Sequence, residues 1–206
     1  MAHAVAGHSA HPPTTTGTDN RKLLMWFFLG SECLFFGSLI ATYLIFKGDS
    51  LNGPFPHEHH GEEGILDIPI TSTSTFVLLM SSVTMVLTVY GAQHNLGKMM
   101  KVSLLATILL GLTFIGFQVY EFRTFGQEGL NLSTNIFGAT FFVMTGFHGT
   151  HVGIGIIYLG SLLLASFRRS GLGPDAGFHI EMAGLYWHFV DIVWIVIFTV
   201  VYLIPS

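Results

Sequence analysis

Apolar residues fall in five long blocks along this chain, at residues 23–46, 70–92, 102–120, 136–167 and 182–204, separated by polar stretches. A bilayer core about 30 Å thick is crossed by about 20 helical residues. Each block is long enough, so the pattern predicts an all-α fold: a polytopic membrane helix bundle with five transmembrane helices. Residues 1–21 read as a disordered His/Pro/Thr-rich tail without the apolar core of a signal peptide, and residues 22–206 as the membrane domain. The second block is rich in Ser and Thr, which suits a helix packed on protein more than on lipid, and it reads as the weakest span by hydropathy. The fourth holds 32 uncharged residues, which predicts tilt or protrusion from the bilayer.

Composition removes several classes of function. Half the residues are hydrophobic and 10% are charged, against roughly 25% charged in soluble domains, so no soluble catalytic domain is present. The net charge of -4 comes without a basic patch, which argues against a nucleic-acid partner. The single cysteine, Cys33, excludes an internal disulfide and a zinc or iron-sulfur site ligated by several thiolates; in its apolar run it reads as a small buried hydrophobe. His3, His8 and His11 in the tail read as solvated rather than metal-binding. No internal repeat is visible and the span number is odd, which speaks against an inverted-repeat transporter.

Charge also orients the bundle. Arg21, Lys22, Lys98, Lys101, Arg168 and Arg169 fall on the side of the N-terminus, and only Lys47 and Arg123 on the other. The positive-inside rule then predicts a cytoplasmic N-terminus and an external C-terminus.

The residues that break the apolar blocks are the candidates for chemistry. Glu32 lies ten residues past Lys22, or about 15 Å along a helix, near the bilayer centre. Insertion scales put an acid there at about +2.5 to +3.5 kcal/mol, so Glu32 must face protein, be paired or be protonated. It reads either as a proton-exchanging, carbodiimide-reactive acid or as a neutral acid joining two helices. Gly30, Gly37, Ser38 and Ala41 suggest close helix contact around its face, beside Phe27, Phe28, Phe35 and Phe36.

His148 and His151 are three residues apart on one helical face, where they could ligate heme or metal or could hydrogen-bond within the bundle. In the last block Trp187 precedes His188, and His188 and Asp191 are spaced to bond or ion-pair, as a proton relay or as a clamp between helices. Gln118 and Glu121 stand at the external end of the third block, where Glu121 is expected to reach Arg123 or water. Glu181 is expected at the N-terminus of the fifth helix, favoured by the helix dipole. Gly149 and Gly153 form a small-xxx-small packing motif.

Four strings occur together in order: Ser31-Glu32-Cys33-Leu34-Phe35-Phe36, Gln118-Val119-Tyr120-Glu121, Thr145-Gly146-Phe147-His148-Gly149-Thr150-His151-Val152 and Tyr186-Trp187-His188-Phe189-Val190-Asp191. Over residues 22–206 they resemble subunit III of heme-copper cytochrome c oxidases. The resemblance implies a helical subunit that carries no heme or copper itself and packs against the catalytic subunit I of a proton-pumping oxygen reductase, whose partner subunits hold those cofactors and the electron-donor site. It places the family's carbodiimide-reactive glutamate on Glu32. It further implies support of proton uptake, phospholipid binding and protection of the catalytic subunit. Larger members of the family have seven spans, and this chain begins where their third would start. Five-span forms are familiar in bacteria, so the expected location is the bacterial plasma membrane.

Three other readings compete. Subunit III of a quinol oxidase is similar in length and span number. A heme-binding membrane anchor would use His148, His151 or His188, and a channel or carrier would use Glu32 as its ion site.

Overall fold

The computed structural model describes residues 19–47, 66–168, 173 and 175–204. Among these, all regular structure is helical: α1 (Asn20–Phe46), α2 (Ile68–Gln93), α3 (Gly97–Gln127), α4 (Ile136–Ser166) and α5 (Ala176–Phe198), continued by a π-helical turn (Thr199–Leu203). Five helices are long and apolar enough to cross a membrane. The tail histidines His3, His8 and His11, most of the first loop and Arg169 lie outside the described residues.

The helices overrun the apolar blocks. α1 starts at Asn20 inside the expected tail, with the Asp19 side chain accepting from the Arg21 backbone N–H as its cap. α3 is extended at both ends by charged turns, taking in Lys98, Lys101 and Arg123, because a helix keeps its own backbone bonds satisfied after leaving the hydrocarbon. The expected nine-residue connection before α3 shrinks to His94–Leu96, where Asn95 takes a left-handed φ of 56°. That turn is so tight that a Cβ on Gly91 would meet the Met100 backbone nitrogen at 2.9 Å. α4, with 31 residues, is about 46 Å long and overreaches the hydrocarbon core, as its composition predicts. Its histidines and glycines make it, rather than α2, the least apolar span.

α1 joins the bundle along a narrow seam. Met25, Leu29, Glu32, Phe36, Leu39 and Tyr43 alternate in steps of four and three and turn inward, the spacing of left-handed helix packing. The small residues Gly30, Gly37, Ser38 and Ala41 do not surround Glu32 against a neighbour; they lie on the outward face of α1, as does Cys33, which is exposed and not buried. Polar clamps hold the helix at both ends. Near the N-terminus Lys22 pairs with Glu181 at 2.5 Å and Arg21 with Asp175 at 3.2 Å. At the far end the Lys47 ammonium donates to the carbonyls of Val200 and Ile204 at 3.1 and 2.6 Å.

α5 is the most buried span and touches α1, α2 and α4. Its Trp187, 1% exposed, locks four helices together. The indole is wedged between two glycines: a Cβ on Gly111 of α3 would approach it to 2.8 Å, and one on Gly155 of α4 to 2.9 Å. Its N–H donates to Ser81 of α2 at 2.9 Å. Bulk facing absence of bulk is how glycines let membrane helices approach. The expected Gly149–Gly153 motif packs only in part, since Gly149 abuts Gln118 whereas Gly153 has open space.

The hydroxyls of α2 face protein, as their density predicts. Thr75 accepts from the Trp194 N–H at 2.9 Å, Thr84 bonds Thr107 at 2.8 Å, and Thr88 donates to Ser103 at 3.0 Å. Several also bond back to carbonyls three or four residues earlier, so these hydroxyls of α2 find their partners within the protein.

Candidate functional site

The polar candidates separate into four places in the bundle. The first is the seam between α1 and α4, where Glu32 Oε2 lies 3.2 Å from His151 Nε2. The heptad seam of α1 turns Glu32 toward α4, and the opposite ring nitrogen of His151, Nδ1, donates to the Phe147 carbonyl at 2.7 Å. A carbonyl only accepts, so Nδ1 carries a hydrogen, and a neutral ring then leaves Nε2 bare. At this distance the two side chains form an ion pair when the imidazole carries its second proton. Phe35, Phe36 and Phe147 surround the pair, with the Phe36 ring 4.9 Å from the imidazole. The side chains are 18% and 15% exposed, reached from the outer surface of the bundle. Tyr186 donates to the His151 carbonyl at 3.0 Å and ties this spot to α5.

The second place is the core between α3, α4 and α5. His148, with no exposure, turns to α5 while His151 turns to α1, so their three-residue spacing gives them different neighbours. His148 Nε2–H donates to the Val190 carbonyl at 3.2 Å, and the ring packs 4.8 Å from Trp194 and 5.8 Å from Phe114. Its Nδ1 has no hydrogen-bond partner. Gln118 donates to the Thr145 carbonyl at 2.7 Å, and its Oε1 occupies the space left by Gly149, where a Cβ would sit 2.5 Å away.

The third is the α2–α5 interface. The expected bond between His188 and Asp191 is not formed: His188 Nδ1 pairs with Ser82 at 2.6 Å. Asp191 is 3% exposed, and neither of its oxygens has a fully formed hydrogen bond, with Ser82 standing beside it. Residues three apart on a helix are neighbours, but Ser82 of α2 engages the imidazole in place of the acid.

The fourth lies at the end of the bundle away from the N-terminus. Glu121 does not pair with Arg123 among the described residues; it is 8% exposed and accepts from Thr71 at 2.6 Å and from Tyr202 at 2.8 Å. Glu181 likewise departs from expectation. α5 begins at Ala176, which moves Glu181 into its second turn, where the partner is Lys22 and not the helix N-terminus.

Sequence reasoning passed over Thr71, Ser82, Tyr43, Tyr202 and Lys47. Lys47 had a signal, a lone cation at the end of a span. Tyr202 had none, because its direction depends on the π-helical turn, in which the Ile204 N–H bonds Thr199 at 3.1 Å and the register slips relative to an α-helix. Among the described residues no three His, Cys, Asp or Glu side chains converge in a way that could hold a metal ion.

Comparison with known proteins places this arrangement. The family model described as Cytochrome c oxidase subunit III matches residues 5–206. A cytochrome c oxidase subunit 3 of Alkalihalophilus pseudofirmus is 36% identical, over 98% of each chain. A quinol oxidase subunit 3 of Bacillus subtilis is 37% identical, over 98% of this chain and 97% of its own. A cytochrome c oxidase subunit 3 of Bacillus sp. strain PS3 is 38% identical over 89% of this chain and 86% of its own. With the family model covering nearly its whole length, and with five helices fit to span a membrane, this chain belongs to the cytochrome c oxidase subunit III family.

Proposed function

We propose that this chain is the non-redox accessory subunit of a bacterial terminal oxidase that takes electrons from cytochrome c and reduces oxygen to water, itself holding neither heme nor copper. The observation that carries the reading is the separation of the polar side chains. His148, His151 and His188 are each engaged by a different neighbour, Val190, Glu32 and Ser82, on different faces. No pair of them presents free nitrogens to a common point, as axial ligation would require. In this reading the chain packs against the catalytic subunit, supports proton uptake and stability there, and binds phospholipid on its outward apolar faces. Its setting is the plasma membrane, with the N-terminus cytoplasmic. Arg21, Lys22, Lys98, Lys101 and Arg168 gather at that end of the helices, which supports the orientation.

Glu32 is the residue proposed to matter for proton handling, because its carboxyl, beside His151, is reachable from outside the bundle. The Glu32→Gln complex is expected to assemble with its hemes, to lose activity sooner during turnover, and to label less with carbodiimide. Unchanged labelling would sink the role given to this carboxyl.

A second reading, a quinol oxidase, is favoured by the Bacillus subtilis relative, which matches as well as the cytochrome c type. Affinity purification of the chain from its own membrane decides between them. The expected result is co-purifying heme-bearing subunits that oxidise reduced cytochrome c; oxidation of quinol without cytochrome c overturns the donor assignment. A stoichiometric Soret band in the isolated chain, lost on His148→Ala, would overturn the absence of heme.

A further inference from the structure

At the end of the bundle away from the N-terminus, α1, α2, α3 and the π-helical turn bring polar groups together beyond the reach of the Glu32 pair. Glu121 Oε1 accepts two hydroxyl bonds, from Thr71 Oγ1 and from the Tyr202 phenol. Oε2 has no hydrogen-bond partner among the described residues, and Glu121 lines a cavity of about 560 Å³ together with Asp67, Tyr120, Thr124 and Glu128. Among the described residues no Lys, Arg or His forms an ion pair with Glu121. The nearby Lys47 ammonium is taken up by two carbonyls and lies 5.9 Å from the centre of the Tyr43 ring. Tyr43, 1% exposed, stands close to Tyr202, and its buried hydroxyl has no partner.

Opposing influences meet on this carboxyl. A buried carboxylate without a cation carries a large desolvation penalty. In the ionised form, Glu121 would add a third acid's charge to a cavity already lined by Asp67 and Glu128, with the Thr71 and Tyr202 hydroxyls on its Oε1 and no cation paired with it among the described residues. The Thr71 and Tyr202 hydroxyls on Oε1 favour the ionised form, so the carboxyl is held between that pull and the cost of burying a charge, beside a cavity from which a proton can arrive. The orphaned Tyr43 hydroxyl has the character of a buried group completed by water.

We propose that Glu121 is a proton-binding site, exchanging its proton with water through the cavity on the face opposite the N-terminus while Thr71 and Tyr202 hold its carbonyl oxygen. Oε2 takes a proton from hydronium in the cavity, one O–H bond forming on the carboxyl as one breaks in hydronium to leave water, and the neutral acid returns the proton to water by the reverse step. The site is separate from Glu32 and does not depend on the electron donor of the complex.

The test is infrared difference spectroscopy of the purified complex containing this chain, between acidic and alkaline buffer and between light and heavy water. The expected spectrum has a protonated-carboxyl C=O band that shifts in heavy water, is absent in Glu121→Gln, remains in Glu32→Gln and moves to higher frequency in Tyr202→Phe, which loses one of its two hydrogen bonds. A Glu121→Gln complex that keeps every such band overturns the proposal. If that variant fails to assemble, Tyr202→Phe decides: a displaced band supports the site, and an unmoved spectrum overturns it.

Discussion

Glu32 of α1 and His151 of α4 face each other at 3.2 Å, and the far nitrogen of the same imidazole is held by the Phe147 carbonyl one turn earlier. The ring therefore has little freedom to turn away from the carboxyl. Glu32→Gln preserves a donor toward Nε2 and is expected to keep α1 docked. Glu32→Ala and His151→Ala remove one partner and are expected to lower stability by about 1.5–3 kcal/mol, the range for hydrogen bonds to charged groups. Thermal unfolding of the detergent-solubilised complex checks this; equal losses in Gln and Ala variants would refute the pairing.

Trp187 fills the gap between Gly111 and Gly155 and bonds Ser81. Trp187→Ala removes that wedge from a site with no exposure to refill it, for an expected loss of about 3–5 kcal/mol. Gly155→Ala drives a methyl into the indole and is expected to lose about 1–3 kcal/mol. Denaturation midpoints give both values, and a neutral Gly155→Ala would mean that the indole can shift.

Gly149 leaves room for the Gln118 amide, whose N–H reaches the Thr145 carbonyl. Gly149→Ala is expected to displace the amide and break that bond. Adding Gln118→Ala should restore most of the loss, since the clash and the buried amide go together. A double-mutant cycle reads this as strong non-additivity; simple additivity would contradict the geometry.

Lys47 caps the carbonyls at the end of the π-helical turn and, outside the span, its partial burial pulls the ammonium below the ordinary lysine value. Lys47→Met keeps the stem but removes the donors, and is expected to free the last residues of α5. Faster amide hydrogen exchange over residues 199–204, with α1–α4 unchanged, is the outcome to look for.

Much of this was legible in the chain. Five apolar blocks of spanning length gave the helices, and the hydroxyl-rich second block announced its protein-facing side. Glu32 could be recognised as needing a partner because an acid at that depth has few options. Which partner it takes was not legible, since His151, His148 and His188 are all imidazoles in apolar blocks and only the rotation of each helix separates them. Helix ends were placed short because hydropathy marks where lipid stops, whereas the helix continues through Lys98 and Arg123. Glu121 was misplaced for a related reason: being near the end of an apolar block says nothing about whether another helix covers the spot, and the cover here is Tyr202, aimed by a register slip that no periodicity reveals.

The thin attachment of α1 leaves Trp26 55% exposed, whereas the other two tryptophans, Trp187 and Trp194, are buried and hydrogen-bonded. The chain thus carries a built-in optical probe of whatever lies against its first helix. Brominated acyl chains in the surrounding bilayer should quench the emission of Trp26 and leave the two interior indoles bright. If a neighbouring subunit covers α1 in the assembled oxidase, that quenching should vanish on assembly, so a fluorescence measurement without any label distinguishes a lipid-facing first helix from a protein-facing one.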